Sequence, residues 1–252
     1  MSAHLVPNHP FARDITLKHP FRRDQIAGPE KVSQALAAIV KSAPGPLEQL
    51  ETFRGESAEA TLWKLSGSEL HGCTLALIEG GEVTELRIML RPVHEAENWA
   101  AANRAKAPDG IWTVPDDIPR HRAFDRAAPV DPHFPFGVAQ GAVFASPILH
   151  RKPQGAELVK TVVGHAAAIY GPRALGPSLG SGPRRFSYWT GSVEGLPAEM
   201  AAFLQFNASG EMASVEVFMQ PTPVTLLFRD HARHRLLGIL DDSYFEVSNV
   251  IA

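Results

Sequence analysis

The clearest alternation of apolar and polar positions runs through GEVTELRIMLRP, Gly81 to Pro92. Thr84, Leu86, Ile88 and Leu90 fall on one side; Val83, Glu85, Arg87, Met89 and Arg91 fall on the other. This is the period-two signature of a strand with two different faces. Three further extended runs precede it: LEQLETFRG from Leu47, EATLWKLSG from Glu59 and ELHGCTLALIE from Glu69. Near the start, Asp14 to Lys18 reads as a short strand that stops at His19 and Pro20. Proline lacks an amide donor and pushes its predecessor into extended geometry. Past Gly28 the period changes. Val32, Leu36, Ile39 and Val40 make an apolar stripe at helical spacing, and Pro29 suits a first helical turn. After Pro92, VHEAENWAAANRA reads as a second helix.

The same order returns further along the chain. SPILHRKPQGAELV from Ser146 lies over HPFRRDQIAGPEKV from His19, with Pro147 over Pro20 and Gly155 over Gly28. Both pairs give an offset of 127 (147 − 20 and 155 − 28). GEMASVEVFMQP from Gly210 lies over GEVTELRIMLRP at an offset of 129 (210 − 81). A nearly constant offset over separated motifs predicts a duplicated domain. In the second copy Val143 to Ala145 is the short strand, and Leu158, Val162, Ala166 and Ile169 mark the helix. RRFSYWTGSV and AEMAAFLQF are extended, and VTLLFRDHARHRLL closes the copy, which on this reading is one strand short. The predicted class is α+β: two tandem cone-shaped barrels, each a curved, mostly antiparallel sheet wrapped around a helix. The predicted boundaries are 1–106 for the first cone, 107–137 for a connector and 138–252 for the second cone. Six prolines stiffen the connector. Trp112, Phe124, Phe134 and Phe136 among them predict that it packs on the cones, over a pocket mouth, rather than hanging free.

Composition narrows the function classes. The 252 residues are 44% hydrophobic and 20% charged, with a formal net charge of −3. Basic residues are scattered, and the densest cluster, Arg229 to Arg235, sits near a helix end where the helix dipole favours cations. No nucleic-acid footprint is expected. Cys73 is the single cysteine, so no intramolecular disulfide can form and a reducing compartment is expected. The start lacks an apolar leader and no run reaches about 18 apolar residues, so the reading is cytoplasmic and soluble.

With their order and duplication, HPF…GPEKV, GCTLALIEGGEVTELRIMLRP, SPI…GAELV and AAFLQFNASGEMASVEVFMQP resemble the nuclear transport factor two-like superfamily, in its SnoaL-like branch. They cover roughly half of the chain. The resemblance implies hydrophobic small molecules bound inside the cone, mostly without cofactor. Its members include ketosteroid isomerases, polyketide cyclases, limonene epoxide hydrolases, dehydratases and diarylpropane lyases; others only bind proteins. In the isomerases an Asp-Pro step supplies the base, and the matching position here is His19. The matching position for the second acid, on a central strand, is His71. In the second copy the same counts reach Ser146 and Glu199. Neither copy offers the oxyanion tyrosine of the isomerases.

Two imidazoles suit acid–base work near neutral pH, since an unperturbed ring titrates near about 6.5. Burial would favour a neutral base, and a nearby carboxylate, with Asp24 nearest in sequence, would make an acid. The expected catalytic set is therefore His19, His71 and Asp24, with His19 and His71 meeting across one sheltered hollow. Trp63, Arg91, Tyr188 and Glu199 are the expected substrate contacts. Each has a plain alternative: His19 could cap a strand end, His71 and Glu199 could be satisfied structural residues, Arg91 could serve the RP step, and Trp63, Tyr188 and Trp189 could be core. His231 and His234 share a helix face but lack a third ligand, so no metal is expected. Gly171 to Pro183 is glycine-rich, lacks the lysine of a phosphate loop, and reads as a flexible rim loop.

The leading expectation is a cofactor-independent lyase that eliminates from, or deformylates, a hydrophobic aromatic alcohol such as a lignin-derived dimer. The alternatives are an isomerase or polyketide cyclase, or a non-catalytic ligand-binding or scaffold protein. No nucleic acid and no membrane are expected as partners, and self-association into a homo-oligomer stays open.

Overall fold

Two glycines set where the helices begin. Gly28 (φ 93°) and Gly155 (φ 95°) occupy the left-handed region that a side chain disfavours, and a helix starts directly after each. In the computed structural model, which describes residues 5, 7–105, 111–112 and 136–245, the element order repeats around these starts. The first unit runs β1 (Phe11–Lys18), β2 (Gln25–Ala27), α1 (Pro29–Ser42), β3 (Leu47–Arg54), β4 (Ala58–Leu65), β5 (His71–Glu79), β6 (Glu82–Arg91) and α2 (Val93–Arg104). The second runs β7 (Val138–Ala145), α3 (Ala156–Ala167), β8 (Ala174–Leu179), β9 (Arg184–Val193), β10 (Leu196–Phe206), β11 (Met212–Gln220) and α4 (Thr222–Leu236). In place of β2 it has an isolated bridge between Val143 and Gln154.

The expected strand deficit is corrected by β8. It lies inside the glycine-rich stretch read as a rim loop and pairs antiparallel with β9 from Ala174↔Thr190 to Leu179↔Phe186. The connector expected at 107–137 falls outside the described residues except for 111–112 and 136–137. No helix among the described residues is long and apolar enough to cross a membrane.

The main sheet path is β3-β4-β5-β6-β11-β10-β9-β8, with β1 parallel to β6 and β7 parallel to β11. The two units join at a single register pair, Leu90↔Met219. Its members are equivalent to each other (219 − 90 = 129), so the join lies on a pseudo-two-fold axis. Loop contacts obey the same symmetry: Thr222 N–H donates to the Pro20 carbonyl and Val93 N–H to the Pro147 carbonyl, both at 2.7 Å.

Alternation along the strands sorts side chains into three cores. Leu86, Ile88 and Leu90 face the first cone with Trp63, Leu17 and Leu36. Met200, Val215 and Met219 face the second with Val159 and Phe228. The opposite faces pack on each other: Leu62, Cys73, Leu75 and Met89 meet Phe186, Tyr188, Phe203 and Phe218. Val83 departs from its predicted side and joins the first core, because the β5–β6 register shifts between Leu77 and Ile78.

Trp63 is fully buried, its Nε1 donates to Thr74 Oγ1 at 3.1 Å, and its ring lies over Gly72, where a Cβ would stand 2.0 Å from it. Gly72→Ala should therefore overpack this site and cost about 1–3 kcal/mol in urea unfolding. Trp63→Leu in the same chain should recover part of that loss.

Candidate functional site

β1 ends where Pro20 removes an amide donor, and the turn that follows is built the same way in both units. Phe21 N–H donates to His19 Nδ1 at 3.4 Å, and Ile148 N–H donates to Ser146 Oγ at 3.2 Å. Both pairs keep the offset of 127 (148 − 21 and 146 − 19). In the first unit Nδ1 thus does the work of a serine hydroxyl. A neutral ring accepting at Nδ1 carries its proton on Nε2. That Nε2 is buried and has no hydrogen-bond partner among the described residues. His19 is 1% exposed. Burial first, then the Arg22 cation, lowers its pKa to about 3 against the opposing pull of Asp24. The ring is neutral at any ordinary pH.

His19 lines a hollow of about 660 Å³ at the seam between the units. Lys18, Arg22, Asp24 and Gln25 line it from the first unit, and Glu199 and Gln220 from the second. Lys18 and Glu199 are positioned by strand phase: both sit on the faces that the two sheets turn toward each other. Glu199 is held by the Lys18 ammonium, by Gln220 Nε2 at 2.6 Å and by Arg87 Nε at 3.3 Å. Lys18 also meets Glu85 at 3.1 Å. Arg87 lies 4.9 Å from the centroid of Tyr188.

The other seam carries the second imidazole. His71 Nδ1 lies 2.6 Å from Glu216 Oε1, and Arg91 Nε donates to the same oxygen at 2.6 Å. A carboxylate only accepts, so Nδ1 carries the proton there. Burial raises the Glu216 pKa, but the His71 hydrogen bond and the Arg91 charge outweigh it and bring it down to about 2. That contribution to stability is complete above pH 4.5 and fades as pH falls toward 2.

The structure therefore brings the predicted residues together in a different grouping. His19, Asp24 and Glu199 share one hollow; His71 is not among its lining residues. His71 and Arg91 form a pair with Glu216 across the units. The meeting of the two imidazoles is corrected by strand phase. Gly72 and Ala76 turn to the first core with Trp63, so His71, Cys73 and Leu75 turn toward the second unit. Asp24 is largely exposed and bonded to Arg22 through Nε at 2.8 Å, which lowers its own pKa, while its charge pulls the His19 pKa upward less strongly than burial and Arg22 lower it. Trp63 fills the first core, and Tyr188 packs between the sheets, so neither lines the hollow. Lys18, Gln220, Arg87 and Glu216 went unnoticed in the sequence, although 216 − 87 = 129 pairs the last two by the repeat. Among the described residues no group of three or more His, Cys, Asp or Glu side chains is placed to hold a metal ion. His231 meets Glu194 at 2.8 Å instead.

No family model and no curated protein matches the chain. Solved structures do. A steroid delta-isomerase from Pseudomonas aeruginosa is 20% identical, with 40% of this chain and 76% of that one covered at a TM-score of 0.39. An uncharacterized protein with a cystatin-like fold from Silicibacter pomeroyi is 22% identical, covering 40% and 71% at 0.39. A hypothetical protein with a ketosteroid isomerase-like fold from Catenulispora acidiphila, solved with trimethylamine, is 16% identical, covering 34% and 78% at 0.26. The chain is similar to ketosteroid isomerase-like and cystatin-like proteins. Each match covers less than half of this chain, and likeness at this level carries no statement about activity.

The burial of His19 makes a thermodynamic prediction. Above pH 6.5 the ring is neutral in both folded and unfolded chains. Below it the unfolded chain binds a proton that the folded chain refuses down to about pH 3. Stability is lost through that window at about 1.4 kcal/mol per pH unit for one whole proton. Urea unfolding between pH 5.5 and 4.5 should show this slope in the wild type, over and above whatever slope His19→Gln retains. Equal slopes in the two proteins would show that His19 is not a buried neutral ring.

Proposed function

We propose that the chain is a cofactor-independent proton-transfer enzyme of isomerase or cyclase type, acting on a small carbonyl compound at the His19 seam. One observation carries the reading: a buried, neutral histidine with an unpartnered nitrogen among the described residues lines a hollow that also holds a carboxylate. In the step this supports, Glu199 accepts a proton from the carbon beside the carbonyl. The His19 Nε2–H and the Lys18 ammonium hold the oxygen that becomes negative. The proton then returns to a different carbon, or the enolate carbon attacks an internal carbonyl. Neutral imidazole is a suitable donor for an enolate, because it keeps its proton while sharing it.

The lyase reading, elimination or deformylation of a diaryl alcohol, draws less support from this geometry. It needs a second acid to expel a hydroxyl, and His71 is committed to Glu216 on the other seam. The aromatic walls expected from Trp63 and Tyr188 are likewise elsewhere. A second reading, ligand binding without turnover, is favoured by one observation. Glu199 already has three partners in Lys18, Gln220 and Arg87, and a carboxylate so held reaches a substrate proton only when a ligand displaces one of them.

Deuterium uptake separates these readings. The protein is incubated in D2O with a panel of aryl ketones and β,γ-unsaturated ketones, and exchange is read by mass spectrometry. The wild type should label at least one class. His19→Ala and Glu199→Gln should each slow labelling by about 10²-fold or more. His19→Gln, whose amide still donates, should fall between His19→Ala and wild type, whereas a histidine acting as base would lose as much in either variant. Saturable binding without labelling of any compound would select the binding reading.

A further inference from the structure

The buried His19 ring packs against a side chain from outside its own unit's sheet and helices. We propose that Trp112, from the stretch between the two cones, is a positioning residue that acts through His19. Its ring seals the imidazole from water and holds it edge-on at the seam hollow. This deepens the proton-transfer reading above, but the sealing itself stands on geometry alone.

Trp112 is 4% exposed. Its ring centroid lies 5.9 Å from that of His19 at 83°, an edge-to-face contact. It also lies 5.5 Å from Phe21 and 5.1 Å from Trp99. Phe21 touches His19 as well, at 5.6 Å, so the imidazole sits in an aromatic corner closed on one side by Trp112. Two anchors fix that side: Arg104 Nε donates to the Trp112 carbonyl at 3.3 Å, and Trp99 Nε1 donates to the Ser42 carbonyl at 3.1 Å. Trp112 also lines a second hollow of about 770 Å³, beside α1 and α2, with Trp99, Leu65, Leu70 and Asn103. The indole is thus a wall between this hollow and the ring it covers. Take it away, and water from the mouth of the first cone reaches His19.

The charged groups around His19 do not explain its neutrality as well as the wall does. Arg22 opposes protonation and Asp24 favours it, and the two are paired with each other at the rim. Lys18 and Glu199 are likewise paired across the hollow, beside the uncharged Gln220. Burial is the largest cause, and the Trp112 ring is a buried contact of His19 contributed by neither β1 nor its turn.

The test is a histidine side-chain NMR titration of the full chain, with the His19 signals assigned by their loss in His19→Gln. In the wild type they should stay those of a neutral ring, with the proton on Nε2, down to pH 4. In Trp112→Ala the midpoint should rise by about one pH unit or more, since solvent returns to the ring. Trp112→Phe should stay close to wild type. If Trp112→Ala does not fold, Trp112→Leu, which keeps the apolar volume but not the flat edge, should give a smaller rise. A folded alanine or leucine variant whose His19 signals match the wild type at every pH overturns the proposal. Failure of deuterium labelling with the titration as expected overturns the enzymatic reading instead and leaves the wall in place.

Discussion

Everything at the seams depends on two outer sheet faces being pressed together about the Leu90–Met219 pair. A cone needs only its inner face to be apolar, and an outer face in water would alternate to polar residues. Here the outer faces carry Leu62, Cys73, Leu75 and Met89 on one side and Phe186, Phe203 and Phe218 on the other. Burying them forces the ends of β6 and β11 into register. Once that is done, whatever lies three residues before the join, Arg87 or Glu216, is carried to the flank of the other unit. The hollow at His19 is a consequence of that closure, because both units contribute to its lining.

The repeat makes the two flanks comparable position by position. Glu199 corresponds to His71 (199 − 71 = 128), Gln220 to Arg91 and Glu216 to Arg87 (both 129). On one seam a carboxylate on β10 is met by cations from β1 and β6. On the other an imidazole on β5 is met by a carboxylate from β11. The charges are interchanged, and each seam remains paired. This is what is needed to keep two buried faces together without an uncompensated charge, and it accounts for His71, Arg91 and Glu216 without any chemistry.

Much of the fold was legible because proline, glycine and period are local signals. The helix starts at Gly28 and Gly155, the strand end at Pro20 and the alternation of β6 need no partner to be read. What was missed depends on neighbours. β8 contains Gly176 and Pro177, and a glycine-rich strand looks like a loop until β9 is there to pair with it. The side of β5 on which His71 falls was readable in principle, since Trp63 needs Gly72 opposite it and the phase of β5 follows. Distance along the chain gives no hint that Lys18 meets Glu199, or that Trp112 covers His19. Only the closure of the seam and the path of the chain after α2 bring those together.

The equivalence of His19 and Ser146 bears most directly on function. Both cap the same turn, each by accepting an amide proton from the residue two places on. Serine does this with a hydroxyl and leaves nothing over. Histidine does it with Nδ1 and adds a second nitrogen, buried and unpartnered, at a cost of about 1–3 kcal/mol for a polar group with nothing to bond. The turn does not require that nitrogen, as the second unit demonstrates. The seam does not use it either, as Glu199 is held by Lys18, Gln220 and Arg87 without it. A cost that neither the turn nor the seam repays is best matched by a ligand that arrives to accept the bond.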